Sequence, residues 1–183
     1  MECTEAEGPG RRFALWTQGC PLRCPGCCNP EMLSFEGGDP WPVERLVRRV
    51  HAAPDLEGLT LVGGEPFAQA EACARLATEV RRMGLTVMAF SGYTLEELRA
   101  STEVGVAPLL ASLDLLVDGR FDRALPEERR RWVGSQNQRV HVLTERYRAD
   151  DPRFAQPNTC EIKLNREGLR VSGWPGLTGK VIS

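Results

Sequence analysis

Seven cysteines stand in this 183-residue chain, at positions 3, 20, 24, 27, 28, 73 and 160, and four of them fall within nine residues. The run Cys20-Pro-Leu-Arg-Cys24-Pro-Gly-Cys27 has the spacing C-x3-C-x2-C. Three thiolates on so short a loop can ligate three irons of a cubane cluster and leave the fourth iron without a protein ligand. An open coordination position is what a catalytic metal needs, whereas structural sites are closed. Pro21, Pro25 and Gly26 suit a tight loop wrapped around an inorganic core. Zinc is the competing reading. No histidine lies nearby to complete four ligands, and Cys28 adjoins Cys27, a placement from which two thiolates rarely reach one tetrahedral ion. Further along, Gly63-Gly64-Glu65-Pro66 offers backbone donors and one carboxylate, a fit for the ammonium group of a ligand.

These residues need elements to hold them. Arg12–Thr17 reads as a buried strand directly before the cysteine loop. Val43, Leu46, Val47 and Val50 form one apolar stripe of an amphipathic helix, and Cys73, Leu76, Ala77 and Val80 repeat the pattern. Leu59–Val62 reads as a strand covered on both faces, and Leu85–Phe90, Leu113–Val117 and Arg139–Leu143 read as further strands. Thr94 with Glu97 makes a capping box that opens a helix at Leu95. Strand, loop and helix in repetition imply parallel strands with right-handed crossovers. The expected architecture is therefore α/β, a partial (open) parallel β/α barrel. Chemistry in such folds gathers at the C-terminal ends of the strands, where the cysteine loop, GGEP, SGYT and DGRF would share one rim.

The tail reads differently. Cys160–Leu164 and Leu169–Gly173 flank an Asn-Arg-Glu-Gly turn whose Gly168 suits a positive φ, giving a C-terminal β-hairpin over about 158–175 that would seal the sheet edge or the barrel bottom. The whole chain, 1–183, reads as one domain with a cluster loop at 18–30. Cys3 is expected in a mobile terminus, Cys73 in the core, Cys160 in a structural position, and Cys28 as a packing or cofactor-wall residue. His51 is expected as a helix C-terminal cap and His141 as an exposed strand position. Arg129, Arg130 and Arg131 read as a solvated helix face or, alternatively, as a docking surface.

Composition narrows the class. Hydrophobic residues at 42% and charged residues at 26% describe an ordinary globular chain and exclude a disordered one. A net charge of −2 argues against a broad electrostatic footprint on nucleic acid. No apolar run approaches the roughly 20 residues that span a bilayer, and MECTEAEGPG lacks the order of a signal peptide. The expectation is a cytoplasmic protein with reduced thiols and no membrane partner.

The cysteine triplet followed by GGEP resembles the radical S-adenosylmethionine superfamily, in which the open iron chelates the amino and carboxylate groups of the methionine moiety. TQGCPLRCPGCCNPEM is similar to the cluster loop of the glycyl-radical activating enzymes. LTLVGGEP, SGYTLEEL, DLLVDGRF and VGSQNQR extend the resemblance, from about Gly8 to Arg139, to the activases of anaerobic (class III) ribonucleotide reductase. The resemblance implies that Cys20, Cys24 and Cys27 bind one 4Fe-4S cluster and that Gly63, Gly64 and Glu65 contact the amino end of S-adenosylmethionine. It places Ser91, Gly92 and Tyr93 near the methionine or ribose, Asp118 on a strand end facing the site, and Asn137, with Gln138 and Arg139, near the cofactor or the partner's loop.

The implied activity is that of a radical oxidoreductase. A donor such as flavodoxin or ferredoxin reduces the cluster, the sulfonium is cleaved, and the 5′-deoxyadenosyl radical takes the α-hydrogen of a glycine in a partner enzyme. No general base is needed, so two histidines are no objection. Two departures stand out. Cys28 occupies a place where related activases commonly carry an aromatic residue, and the CEIKL hairpin with VSGWPG resembles the endings of small stand-alone radical proteins. The rival readings are accordingly a stand-alone radical enzyme that modifies a peptide or small molecule, and a non-catalytic iron-sulfur module. An open barrel edge without a substrate-binding domain favours the activase, because a partner protein would cover it.

Overall fold

The computed structural model describes residues 2–165 and 168–173, and at its centre is a six-stranded sheet whose strands lie side by side in chain order. They are β1 (Glu2–Thr4), β2 (Arg12–Thr17), β3 (Gly58–Gly63), β4 (Thr86–Phe90), β5 (Leu115–Asp118) and β6 (Arg139–Val142). β2 to β5 pair in parallel, with Phe13 opposite Leu59, Leu59 opposite Val87, and Met88 opposite Leu115. The helices α1 (Val43–Ala52), α2 (Ala70–Arg82), α3 (Leu95–Ala100) and α4 (Val106–Ala111) supply the crossovers that parallel pairing requires.

The sheet is mixed, which corrects the expectation of uniformly parallel strands. β1 runs antiparallel to β2, and β6 antiparallel to β5. The cause is the connections. Residues 5–11 are too few for a crossover, and residues 119–138 carry no helix to return the chain to the start of the sheet. Cys3, expected in a mobile terminus, sits within β1 opposite Phe13.

All four helices cover one face. Leu46, Val50, Leu76, Val80, Leu98 and Leu109 bury themselves against Phe13, Leu59, Leu61, Val87 and Leu116 of the sheet. Each such side chain contributes about 1.5–3 kcal/mol by leaving water. The other face is covered by later chain: Met88, Leu115 and Val117 pack with Trp132 and Tyr147. At the start of β2 the Arg12 side chain is fully buried. Its Nε donates to Thr60 Oγ1 at 3.1 Å, and its other nitrogens donate to Thr86 Oγ1 (2.6 Å), Tyr147 Oη (3.1 Å) and Leu59 O (2.6 Å). Burial lowers its pKa from the usual guanidinium range.

β7 (Cys160–Asn165) and β8 (Gly168–Gly173) form a separate antiparallel hairpin, with Gly168 at φ +125° as the turn requires. Arg166, Glu167 and the end of VSGWPG from Trp174 lie outside the described residues. The hairpin lies against the N-terminal strand rather than at the bottom of the sheet. Thr4 Oγ1 donates to the Glu161 carboxylate, Lys163 donates to the Cys3 carbonyl, and Gly173 N donates to Glu7 Oε1 at 2.8 Å.

Two further expectations are corrected. Arg129–Arg131 lie in an irregular loop, not on a helix. His141 is half-buried, with Nε2 2.9 Å from Asp118 Oδ2, because the antiparallel return of β6 turns it toward that carboxylate. Among the described residues no helix is long and apolar enough to cross a membrane.

Candidate functional site

Parallel pairing brings the C-terminal ends of β2, β3, β4 and β5 to one rim, where a cavity of about 550 Å³ opens. Cys20, Cys24, Cys27 and Cys28 line it. Gly63, Gly64 and Glu65 line it from the end of β3, and Ser91 and Gly92 from the end of β4. Trp16, Val62 and Phe90 form its apolar floor on the sheet.

The cysteine loop is shaped by its own sequence. Cys24-Pro-Gly-Cys27 makes a turn closed by Cys27 N to Cys24 O at 3.1 Å, with Gly26 at φ +72°; proline then glycine is the pair a type II turn demands. The loop is tied to the strand ends. Gly19 N donates to Met32 O (2.9 Å), Glu65 N to Gly19 O (2.9 Å) and Gly64 N to Thr17 O (2.8 Å). A Cβ on Gly64 would overlap the Gly19 carbonyl, so this crossing of backbones requires glycine.

The donor set fits an iron-sulfur cluster. Among the described residues no three His, Cys, Asp or Glu side chains converge on a point that one ion would occupy. Thiolates are the ligands such clusters take, and the three cysteines of the motif all line the cavity. Cys27 is pulled down to about 6, chiefly by a hydrogen bond from Cys28 and also by the Asn29 N–H, 3.4 Å from its Sγ. Burial pushes the Cys24 thiol up.

Glu65 joins two of the strand-end loops. Its carboxylate accepts from Phe67 N (3.0 Å), Ser91 Oγ (3.0 Å) and Gly92 N (2.9 Å), and the residue is almost wholly buried. Burial raises its pKa to about 7, with the three hydrogen bonds pulling the other way. Such a carboxyl is poised to take a cationic group entering the cavity.

Three of the expected site residues lie away from the lining. Tyr93 packs at the margin of the helix-side core. Asp118 is fully buried and accepts from Leu95 N (2.6 Å) and from Arg139 Nε (3.0 Å), with a second Arg139 nitrogen at 2.6 Å. Asn137 donates to Arg120 O at 2.8 Å. From the same block it is Gln138 that lines the cavity, with its oxygen bonded to Gly134 N (2.9 Å) and its amide to Gly119 O (2.8 Å).

The sequence reading missed a wall of the cavity: Trp132, Asn158 and the β8 residues Val171–Gly173. Trp132 immediately precedes VGSQNQR and could have been read with it; nothing in the hairpin's sequence announces its place at the site. Of the three consecutive arginines, Arg130 is bonded to Glu127 and to the Gln138 carbonyl, and Arg131 lies 4.7 Å over the Trp132 ring.

Comparison with known proteins places these features in a family. Residues 6–141 match the family described as "4Fe-4S single cluster domain". Proteins called anaerobic ribonucleoside-triphosphate reductase-activating protein are similar over most of the chain. The one from Salmonella typhimurium is 33% identical over 145 residues, 74% of this chain and 91% of that protein. That of Vibrio cholerae is 33% identical over 147 residues (75% and 91%), and that of Enterobacteria phage T4 is 27% identical over 149 (78% and 91%). With its cysteine loop, its GGE turn and its parallel strand ends around one cavity, this chain belongs to the family of anaerobic ribonucleoside-triphosphate reductase-activating proteins, built on a 4Fe-4S single cluster domain.

Proposed function

We propose that this protein activates an anaerobic ribonucleotide reductase by generating a glycyl radical on it. One 4Fe-4S cluster would be held by Cys20, Cys24 and Cys27, with S-adenosylmethionine bound in the same cavity. The observation that carries this reading is the convergence of those cysteines with Gly63–Glu65 and Ser91–Gly92 on one cavity at the C-terminal ends of parallel strands. When bound, the cluster and S-adenosylmethionine together supply one-electron cleavage and a radical able to abstract hydrogen. This chain's own residues bind, orient and exclude water. Glu65 takes the amino group of the ligand, with Ser91 and Gly92 fixing its carboxylate. Trp16, Val62 and Phe90 give the apolar floor that keeps a reactive species from water. The sequential order of β2 to β5, with helices on one face, supports the partial-barrel reading of the sheet.

The test is anaerobic. Protein reconstituted with iron and sulfide is given S-adenosylmethionine and dithionite, and 5′-deoxyadenosine is quantified beside a Cys24→Ala control. Product in the wild type and at least a hundredfold less in the control is expected, followed by a glycyl radical signal when the reductase is added. Cleavage without any glycyl radical on the reductase would leave the second reading, a radical enzyme acting on a peptide or small molecule. That reading draws on one observation: Asn158 and Val171–Gly173, beyond the family match that ends at residue 141, line the cavity.

A further inference from the structure

The sheet ends at β6, and the outer side of that strand is unpaired. Ser91 N donates to Val117 O at 2.9 Å, so Val117 turns its backbone groups toward β4. Val140, directly opposite Val117, is therefore in a non-hydrogen-bonded pair, and the alternation of an antiparallel ladder makes Val142 its equivalent. Leu143 N, which donates to Asp114 O at 2.9 Å, keeps the same phase. Arg139 and His141 thus face β5, while Val140 and Val142 turn their N–H and carbonyl groups away from it. Among the described residues no hydrogen bond reaches those outward groups. Natural sheets blunt such an edge with proline, lysine or a covering element. Arg139–Val142 holds neither residue, and all of it is at least partly exposed.

A second cavity, of about 780 Å³, runs along this edge. Residues 140–143 line it. So do Leu95 and Arg99 of α3 from the helix side, and Arg129 and Phe154 from the chain that covers the opposite face. A cleft bounded from both faces of a sheet and lined by its edge strand has the place of one further strand. Its charge is one-sided. Asp150 pairs with Arg148 at 2.9 Å, Asp151 with Arg153 at 2.6 Å, and Arg130 with Glu127 at 2.6 Å. Arg99 and Arg129 are exposed and have no acidic partner among the described residues. These two cations argue against a second copy of this chain on the edge, since the copy would bring the same arginines up against them.

We infer that this edge takes up an extended, acidic segment of the reductase as a further strand, bonded through Val140 and Val142 and held between Arg99 and Arg129. The inference rests on the proposed function, which it deepens by naming where the partner docks. Position commits the edge to that partner. β6 begins at Arg139, opposite Asp118 at the C-terminal end of β5, and Gln138 just before it lines the cysteine cavity. Arg130, which donates to the Gln138 carbonyl at 2.8 Å, lines the second cavity. The two cavities meet at that residue pair, so a strand laid along β6 reaches the rim where the glycine must arrive. Main-chain bonds supply the affinity of such an addition, and the flanking charges select the partner.

Hydrogen exchange of the reconstituted full-length protein, read residue by residue with and without anaerobic ribonucleotide reductase, tests the edge directly. In the free protein the Val140 and Val142 amides should exchange at least about tenfold faster than that of His141, whose N–H faces β5. With the reductase present they should slow by a similar factor. Two variants leave the cysteine cavity intact. Arg99→Glu combined with Arg129→Glu should weaken reductase binding by about tenfold at low salt, and by less as salt rises. Val142→Pro deletes an outward donor and no bond to β5, so it should weaken binding several-fold. The 5′-deoxyadenosine formed without reductase should be unchanged in both. Reductase that binds and acquires its radical while Val140 and Val142 exchange as before overturns this inference alone. So does slow exchange of both amides in the free protein, which would mean that this chain covers its own edge, and so does protection that follows the protein's own concentration, the mark of a second copy. Cleavage of S-adenosylmethionine with no glycyl radical on the reductase overturns the proposed function and this inference with it.

Discussion

Glu65 shows how one buried side chain sets the pH range of the site. Burial favours its neutral form, and the Phe67, Gly92 and Ser91 donors only partly offset this, leaving the pKa at about 7. On the proposed function the ionised form is the one that accepts a hydrogen bond from the ligand's amino group. S-Adenosylmethionine should therefore bind more weakly as pH falls from 8 to 6, approaching about tenfold per unit below 7. Glu65→Gln should bind weakly at every pH in that range, with the slope gone. Stability carries the opposite sign. Because the folded pKa lies above the unfolded one, protonation favours the folded state, and the apoprotein should lose on the order of 3 kcal/mol as pH rises from about 4.5 through 7. Urea melts of wild type and Glu65→Gln at pH 5 and 8 measure this; parallel changes in the two proteins would assign the pH dependence to other groups.

At the scale of elements, Asp118 ties three together: the end of β5, the first turn of α3 through Leu95 N, and β6 through Arg139 and His141. Burial alone would raise its pKa, but Arg139, the Leu95 N–H and His141 outweigh it and hold the carboxyl below the usual aspartate range. Asp118→Asn should cost about 1–3 kcal/mol, because the buried side chain then turns an amide N–H toward donors that its carboxylate had satisfied. With its folded pKa depressed, Asp118 stabilises the fold above the normal aspartate value and ceases to as pH falls through the folded one. The wild type's excess stability over Asp118→Asn should accordingly shrink in acid, as thermal melts between pH 7 and 3 would show. The strand end that carries this residue was legible in the sequence, as were β2, β3, β4, α1, α2 and the capping box of α3, whose reciprocal Thr94 and Glu97 bonds both form. These signals are local, set by apolar period and cap chemistry. The direction of β6, the pairing of β1 and the role of the Asp118 carboxylate depend on which distant segment lies alongside. Short α4 is preceded by Gly105 with φ +87° and no side-chain cap, so no start signal marks it. The cluster loop was legible because its cysteines stand close together in sequence; the Trp132 wall was not, because Asn158 completes it from 26 residues away.

The whole molecule is closed by chain that the family match does not reach. Beyond residue 141, Thr144 bonds Asp114, Tyr147 bonds Arg12 and Thr86, and the hairpin holds the segment Cys3–Glu7. Relatives are matched over 91% of their own length, which leaves them little chain from which to build a counterpart. Of this extension only Leu143 packs at the margin of the helix-side core, whereas the cavity takes part of its wall from Asn158 and the hairpin. Ending the chain after Gln156 keeps Tyr147 and removes Asn158 and the hairpin. The truncated protein should retain its helical content, since α1 to α4 pack on the other face, and should melt several degrees lower. In the apoprotein, iodoacetamide should label the cavity cysteines several-fold faster than in the full chain; equal rates would mean that the hairpin does not shield them. The same truncation separates the two functional readings. If the protein activates a reductase, the shared domain suffices, and the shortened chain should still raise a glycyl radical on that enzyme, with more 5′-deoxyadenosine formed per radical because the reductant and buffer, as hydrogen donors, reach the site. If the extension instead holds a peptide or small molecule, cleavage of S-adenosylmethionine should persist while modification of that substrate is lost.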